Sequence, residues 1–474
     1  MKHLHTGHLF SFSVLAILII PLLLTEGLFM DGAMYTTIAN NFANGEGTFW
    51  HPAFTGDVHN PFFEHPPFAF YLEGIFNKIL GGSYYTSRIY GLFTILTSAI
   101  LIHLIWINLV KAEFKKHSWL PILYWVITPQ IFWGATQNIL ENSVSMFCLG
   151  AIFFLTKSFQ LSTTKTLLYS LCAALLIFLS FLCKGFVGLF PIAFYSIAWL
   201  TLHKKDRFNF LTLKTVIKHY LYLTLFCLAL FVVFIYCNDN AIDSLSTYIN
   251  KQVGASIKGE LRQDNRLSVI IRIFNELLPT IILTTFFVIR NKVSQKKTGF
   301  KGINNTLLLT FLLLGISASF PLMISPKQGA FYIIPSIPYF AFSLSTILLH
   351  VTKNWKIQKI SSHKLKIGIK YFSLFSIIAA FAFMFINKGT YNRDGNEIKD
   401  IKIIAKHIPN ESLSLSSELK GNWAHMAYLK RYGNIEVFRH TRKNIVLSSK
   451  KIKKIKGYSL AKLDLKSFNL FIKD

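Results

Sequence analysis

A few ionisable side chains stand where an apolar chain has little packing use for them. Asp31 directly follows the first long apolar run, with Tyr35 one helical turn further on. Glu64 and His65 precede the turn in Phe63-Glu64-His65-Pro66-Pro67, whose prolines fix the backbone and aim both side chains. Glu141 opens one apolar run, Lys184 closes another in Cys183-Lys184-Gly185, and Arg88 lies near the start of the second. Lys327 and Tyr332 belong to Ser325-Pro326-Lys327-Gln328-Gly329-Ala330-Phe331-Tyr332, which runs into Pro335. Lysine and arginine suit a phosphate, and a carboxylate suits a hydroxyl nucleophile. An anionic group with a reacting carbon beside carboxylates is the implied ligand. Each residue also has a plain reading: an acid after a span caps an interfacial helix, and a lysine ending one snorkels. Convergence decides between the two, because a charge beside lipid is expensive.

The elements that must position these groups follow from composition. Of 474 residues, 52% are apolar and only 15% charged, which excludes an ordinary soluble assembly. Apolar runs at 9–29, 85–110, 118–135, 139–156, 166–183, 186–202, 219–237, 268–289, 305–323, 329–350 and 368–387 predict about eleven membrane-crossing helices. The net charge of +28 would suggest nucleic acid in a soluble chain, but here the basic residues mark cytoplasmic connections. Lys111, Lys115, Lys116, Lys204, Lys205, Arg207, Arg290, Lys292, Lys296, Lys297, Lys353, Lys356, Lys359, Lys364 and Lys366 all fall on one side, with Glu113 and Asp206. That side is inner, the N-terminus lies there, and the first run is read as a retained anchor. Most carboxylates then face outward, so chemistry that needs them is external. No nucleic-acid partner is expected.

Two outer loops are long, 30–84 and 238–267; the second carries Lys251, Lys258, Arg262 and Arg266 and reads as a lid. Residues 1–390 read as the membrane domain. Residues 391–474 alternate helical stretches (396–407, 422–431) with strand-like ones (412–416, 435–438, 445–448, 468–472), predicting a small extracytoplasmic α/β domain. Its basic run from Lys450 to Lys456 reads as a solvated surface or a contact with anionic headgroups. The five cysteines lie in or beside apolar runs without metal-ligand spacing and read as packing residues.

Taken in order, these segments resemble the bacterial integral-membrane glycosyltransferases of the GT-C class. The nearest groups are the dolichyl-phosphate-mannose-protein mannosyltransferase-like family and the lipid A aminoarabinose transferases. The likeness rests on Asp31 with Tyr35, the Glu64-His65-Pro66-Pro67 turn, Arg88, Glu141, Lys184-Gly185, the Ser325…Lys327…Tyr332…Pro335 turn and Tyr428-Leu429-Lys430-Arg431-Tyr432-Gly433. Gly32 and Met34, Glu141 and His65 depart from the usual residues and leave sugar and acceptor open.

The resemblance implies a GT-C-like all-α polytopic membrane protein that moves one sugar, hexosyl or pentosyl, from a polyprenyl-phosphate donor to a hydroxyl of a lipid, glycan or protein. Transfer would occur with inversion on the outer face of a bacterial inner membrane. Asp31 would be the general base or would orient the acceptor hydroxyl, with Glu64 and Glu141 as further catalytic carboxylates. His65, Arg88, Lys184, Lys327, Tyr332 and Tyr35 would bind substrate, Arg88 supporting the two lysines at the phosphate. The resemblance leaves a divalent cation, Mg or Mn, open, with Asp31, Glu64 and Glu141 as its ligands. The rival classes are a flippase or transporter, a ligase of whole glycans and a non-catalytic lipid-binding protein. A transporter would show internal repeats and mid-membrane charges, which the sequence lacks.

Overall fold

The structure is a computed structural model that describes residues 6–158, 163–202, 213–261, 263–294, 305–353 and 363–474. Lys204, Lys205, Asp206, Arg207, Arg262, Lys296, Lys297, Lys356 and Lys359 lie outside the described residues. The helices are α1 (Thr6–Ile19), α2 (Met30–Ala43), α3 (Phe68–Leu80), α4 (Thr86–Leu109), α5 (Trp119–Val126), α6 (Pro129–Gln137), α7 (Leu140–Ser158), α8 (Thr163–Lys184) and α9 (Phe194–Leu202). After them come α10 (Leu213–Tyr236), α11 (Ala241–Thr247), α12 (Ala255–Lys258), α13 (Ser268–Ser294), α14 (Asn305–Ser319), α15 (Ile337–Lys353), α16 (His363–Ile386), α17 (Gly395–His407) and α18 (Trp423–Gly433).

Among the described residues, seven helical stretches are long and apolar enough to cross a membrane, and α6 with α7 makes an eighth if counted as one span bent by 115°. The difference from about eleven has local causes. Pro21 sits in the short 3-10 turn that ends the first helix, so Thr6–Leu22 falls short of the ~20 residues a span wants. Thr128, extended before Pro129, divides the third run into α5 and α6. The 37-residue stretch Lys165–Thr201 is not one rod. Ser158, at the end of α7, bonds both Thr166 at the start of α8 and Tyr195 in α9, so the chain reverses between them. The reversal lies at Gly185, whose φ of +71° is open to glycine without strain. Exposed Leu221, Leu225, Leu228 and Val232 form a stripe down α10, the surface expected against lipid.

Two levels of the bundle are marked by polar contacts. At one end His8 and His103 both meet Ser118 Oγ at 2.8 Å. At the other, Phe29 N–H donates to Gln137 Oε1 at 2.7 Å, and Arg88 reaches Thr25, Gly27 and Thr136. Thus α1, α4 and the α5–α6 pair run between the same two levels, and the Asp31 segment lies at the second.

The C-terminal residues build strands β1 (Ser412–Leu415), β2 (Glu436–Phe438), β3 (Ile445–Ser449), β4 (Tyr458–Leu460) and β5 (Phe468–Lys473). Their order is β2-β1-β3-β5-β4, with β1 parallel to β2 and β3, and β5 antiparallel to β3 and β4. Four strands and both helices fall within the stretches predicted from sequence, give or take a residue; β4 is additional. The unit has no separate core. Leu28, Tyr35, Ile38, Phe54, Phe62 and Phe70 from the first long loop bury together with Ile401, Leu413, Leu429, Val437 and Leu447. Packing is therefore continuous across the expected boundary at residue 390.

The Tyr428–Gly433 stretch has a clear structural use. The Tyr428 hydroxyl accepts from Leu28 N–H and lies 3.0 Å from the Leu28 carbonyl, and Tyr432 donates to Glu26 Oε2 at 2.6 Å. Lys402 pairs with the other Glu26 oxygen at 2.7 Å. The motif on α18 clamps Glu26 and Leu28, in the segment that leads into Asp31. Tyr428→Phe, which strands buried backbone groups at Leu28, should lower stability by about 1–3 kcal/mol in thermal unfolding of the purified protein.

Candidate functional site

Asp31 sits in the first turn of α2, next to Gly32. A Cβ at Gly32 would lie 1.9 Å from the Gln137 carbonyl oxygen, so α2 can seat against the end of α6 only with glycine there. The departure beside Asp31 is thus a packing requirement. Asn138, at φ +54°, ends α6 in the left-handed region and donates to the buried Glu73 at 2.9 Å. The sharp turn it makes starts α7 and brings Glu141 to the level of Asp31.

From the end of α8, Lys184 Nζ donates to Glu141 Oε1 at 2.5 Å, with both side chains buried. The same ammonium lies 5.0 Å from the Tyr332 ring centre and 5.5 Å from that of Phe331. Asp31 feels Lys184, Glu64 and Lys327 electrostatically. Burial pushes its carboxyl above the ordinary aspartate range; Glu64 adds to this, while Lys184 and Lys327 oppose it. Burial also raises the Tyr35 phenol well above its usual value, helped by Asp31, Glu141 and Glu64, so it stays protonated. His65 Nε2 lies 3.1 Å from the Tyr35 hydroxyl. Its own protonation is driven far down by burial and then by Lys184 and Lys327, which makes it a neutral imidazole.

A cavity of about 950 Å³ is lined by His65, Glu141, Lys184, Lys327 and Tyr332 at its polar end. Most of the other lining side chains are apolar, among them Phe186, Phe190, Ile257 and Leu322. Two lysines in a cavity whose lining is otherwise largely apolar fit an amphiphile with an anionic head. Among the residues expected to meet, Asp31, Glu64, His65, Tyr35, Glu141, Lys184, Lys327 and Tyr332 do gather around this polar end.

Arg88 does not. Its Nε and two terminal nitrogens donate to the carbonyls of Thr25, Thr136 and Gly27 at 3.1, 2.6 and 2.6 Å, and it does not line the cavity. These carbonyls lie where helices have stopped and lack partners, so the guanidinium ties chain ends instead of a phosphate. The carboxylate triad for a cation also fails to form. Among the described residues no group of three histidine, cysteine or acidic side chains could hold a metal ion. Glu141 has a reason to stand apart from such a set, since Lys184 occupies it; Asp31, Glu64 and Glu141 do not fit Mg or Mn.

Sequence reading missed Tyr248, Gln252 and Ser256, and gave Ser325 no role beyond its place in the turn motif; all four line the cavity. The loop 238–267 is pinned at both sides of it. Tyr248 donates to the Lys184 carbonyl at 3.4 Å, and Ser256 meets Ser325 at 2.5 Å. Asp264 N–H donates to the Pro326 carbonyl at 2.9 Å, while its carboxylate accepts Gln328 N–H at 3.2 Å. The signal available was only that this loop is long and polar.

No model of a protein family matches the chain, and neither does any curated protein. Solved structures do. ArnT from Cupriavidus metallidurans in the apo state superimposes with a TM-score of 0.68 at 12% identity, covering 98% of this chain and 97% of that one. The same protein bound to undecaprenyl phosphate gives 0.64 at 12% identity, with 98% and 97% covered. The apo oligosaccharyltransferase of Archaeoglobus fulgidus gives 0.51 at 11% identity, over 92% of this chain and 64% of that one. The fold is that of ArnT. The helical membrane architecture with a small C-terminal sheet that was expected from the sequence is the one observed, and the likeness extends from α1 through that sheet.

Removing one member of a buried ion pair strands the other. Lys184→Met should destabilise the protein by about 3–5 kcal/mol, and Glu141→Gln added to it should restore most of that loss, as read from thermal unfolding of the two variants.

Proposed function

We propose that this chain is a multi-pass membrane glycosyltransferase that moves a single sugar from a polyprenyl-phosphate donor to a hydroxyl acceptor. The observation that carries the reading is the largely apolar cavity that Lys184 and Lys327 both line, their charges acting on Asp31. Undecaprenyl phosphate bound to the structurally similar ArnT supports this choice of donor class. Donor and acceptor meet on the extracytoplasmic face of a bacterial inner membrane, with the N-terminus in the cytoplasm; the placement of Lys and Arg along the sequence supports this orientation.

In this mechanism the lipid tail lies along the apolar lining and its phosphate at Lys327. Among the described residues Lys327 has no carboxylate within ion-pair distance, whereas Lys184 is already held by Glu141. Lys327 is therefore the primary phosphate ligand, and Lys184 contributes a fixed positive potential. The acceptor oxygen attacks the anomeric carbon from the side opposite the phosphate, the glycosidic C–O bond breaks, and polyprenyl phosphate departs. Inversion follows from that single displacement. Asp31 takes the acceptor proton, and its raised proton affinity brings it closer to the working pH, which strengthens a general base. Glu64 and Tyr35 orient the acceptor, while neutral His65 accepts or donates a hydrogen bond without competing for the phosphate. No step runs through a metal ion.

Asp31→Asn should lower turnover by about 10²- to 10⁴-fold while binding of undecaprenyl phosphate persists. In the unaltered enzyme the base works when deprotonated, so activity should fall as pH drops through the folded-state value of Asp31. That acid limb should lie above the ordinary aspartate range, because burial raises the group. Both are read by following released polyprenyl phosphate across a pH series. Unchanged turnover in Asp31→Asn removes Asp31 from the mechanism.

A further inference from the structure

The transfer mechanism leaves one imidazole unused. His59 precedes Glu64 by five residues, and its Nε2 faces Glu64 Oε1 at 3.5 Å. That nitrogen is buried and has no hydrogen-bond partner, an arrangement that is costly unless something is gained from it. The outer part of the ring reaches the surface, with 24% of the side chain exposed.

The ring has little freedom to turn away from Glu64. It stacks on Trp423 of α18 with centres 4.6 Å apart and meets the edge of Phe62 at 5.5 Å. Its backbone is fixed as well. Phe54 N–H donates to the His59 carbonyl at 3.2 Å, and Asp57 accepts the N–H groups of Arg439, His440 and Thr441 at 2.7, 3.1 and 3.2 Å. The turn is thereby tied to the loop after β2. His59 itself holds a φ of +47°, a conformation that a non-glycine residue keeps only where its surroundings enforce it. A histidine and a carboxylate on mobile surface chains would contribute little to each other, but here one of the two is clamped.

Glu64 is where this restraint acts. Its charge works on Asp31, and in the transfer mechanism it orients the acceptor hydroxyl, which requires one carboxylate oxygen to be held so that the other can face the substrate. A neutral imidazole with its proton on Nε2 suits that task, donating to Oε1 and leaving Oε2 open. Burial lowers the proton affinity of His59 most; Glu64 opposes this and Arg439 adds to it, and the result lies below the ordinary histidine value. The ring is therefore neutral at neutral pH, and it fixes Glu64 without cancelling its charge. A separation of 3.5 Å is that of a contact which tightens when substrate engages.

We propose that His59 is a positioning residue whose Nε2–H holds Glu64 Oε1 and so turns Glu64 Oε2 toward the acceptor hydroxyl beside Asp31, with Trp423 holding His59 in turn. The inference rests on the transferase reading above and gives that reaction a residue that does not line the cavity.

Nitrogen NMR of isotope-labelled histidine in the full chain, held in phosphatidylcholine nanodiscs, tests the contact without any ligand. The His59 signal is the one lost in His59→Gln. At neutral pH the ring should be uncharged with its proton on Nε2, and its titration midpoint should fall in Glu64→Gln, because the anion that favours the charged form is gone. A proton on Nδ1, or a midpoint indifferent to Glu64→Gln, overturns the proposal. Turnover, read as released polyprenyl phosphate, separates positioning from packing. His59→Phe keeps a ring on Trp423 but has no N–H, and it should lose about tenfold, the scale of one hydrogen bond. His59→Gln gives up the ring, keeps an N–H donor of similar reach and should lose less. The reverse order, or full turnover in His59→Phe, makes His59 a packing residue and overturns the proposal. Failure of the transferase reading has a different signature: Asp31→Asn would keep full turnover while the Glu64-dependent shift at His59 remained.

Discussion

The Lys184–Glu141 ion pair is the constraint around which the rest is arranged. Two ions withdrawn from water are tolerated only when they meet with good geometry, and here the meeting is between the first turn of α7 and the last residue of α8. For those two ends to coincide, α6 has to stop at Asn138, α7 has to leave at a steep angle and α8 has to return antiparallel. Gly185 then reverses the chain at once, leaving room for Tyr248; a Cβ there would lie 2.0 Å from the Tyr248 hydroxyl. One electrostatic contact thus fixes four elements and one wall of the cavity. It also leaves the site with a graded set of charges, one lysine already compensated and one with no carboxylate at ion-pair distance among the described residues.

The second constraint comes from outside the bundle. The backbone from Thr25 to Phe29 is neither helix nor sheet, so its polar groups need partners from elsewhere. Arg88 takes two of its carbonyls, Tyr428 bridges Leu28, and Glu26 pairs with Thr390 and Asn392 through the backbone. Asp31 is positioned by this scaffold more than by α2 itself. The C-terminal sheet is therefore part of the machinery that aims the proposed base, and its shared core with residues 28–70 is the energetic expression of that role.

Much of this was legible because lipid and water sort side chains so strongly. Asp31, Glu141, Lys184 and Lys327 each interrupted an apolar pattern at a cost that packing does not explain, and all four converge. The strands at 412–416 and 445–448 were legible for a similar reason, since alternating apolar residues between polar turns leave few other solutions. Arg88 was legible as important but not as structural. Its type suits a phosphate, and nothing in a linear pattern shows that three carbonyls from two other segments point at it. The same blindness applies to Tyr248 and Gln252, whose neighbours are ordinary polar loop residues and whose role depends on where the loop lands. Span counting erred where proline and glycine reshape apolar runs, because hydropathy measures composition and not direction.

These failures share a physical origin that bears on the site. A side chain's charge is a property of the sequence, whereas its availability depends on what already neutralises it. Lys184 and Lys327 look equivalent in the chain, yet one is bound by Glu141 at 2.5 Å and the other has no carboxylate that close among the described residues. Arg88 and Arg439 look equivalent too, but the first spends its donors on carbonyls while the second rests on an indole face. In the proposed mechanism the donor phosphate meets Lys327, which among the described residues has no carboxylate within ion-pair distance, so its arrival breaks no pair such as Lys184–Glu141.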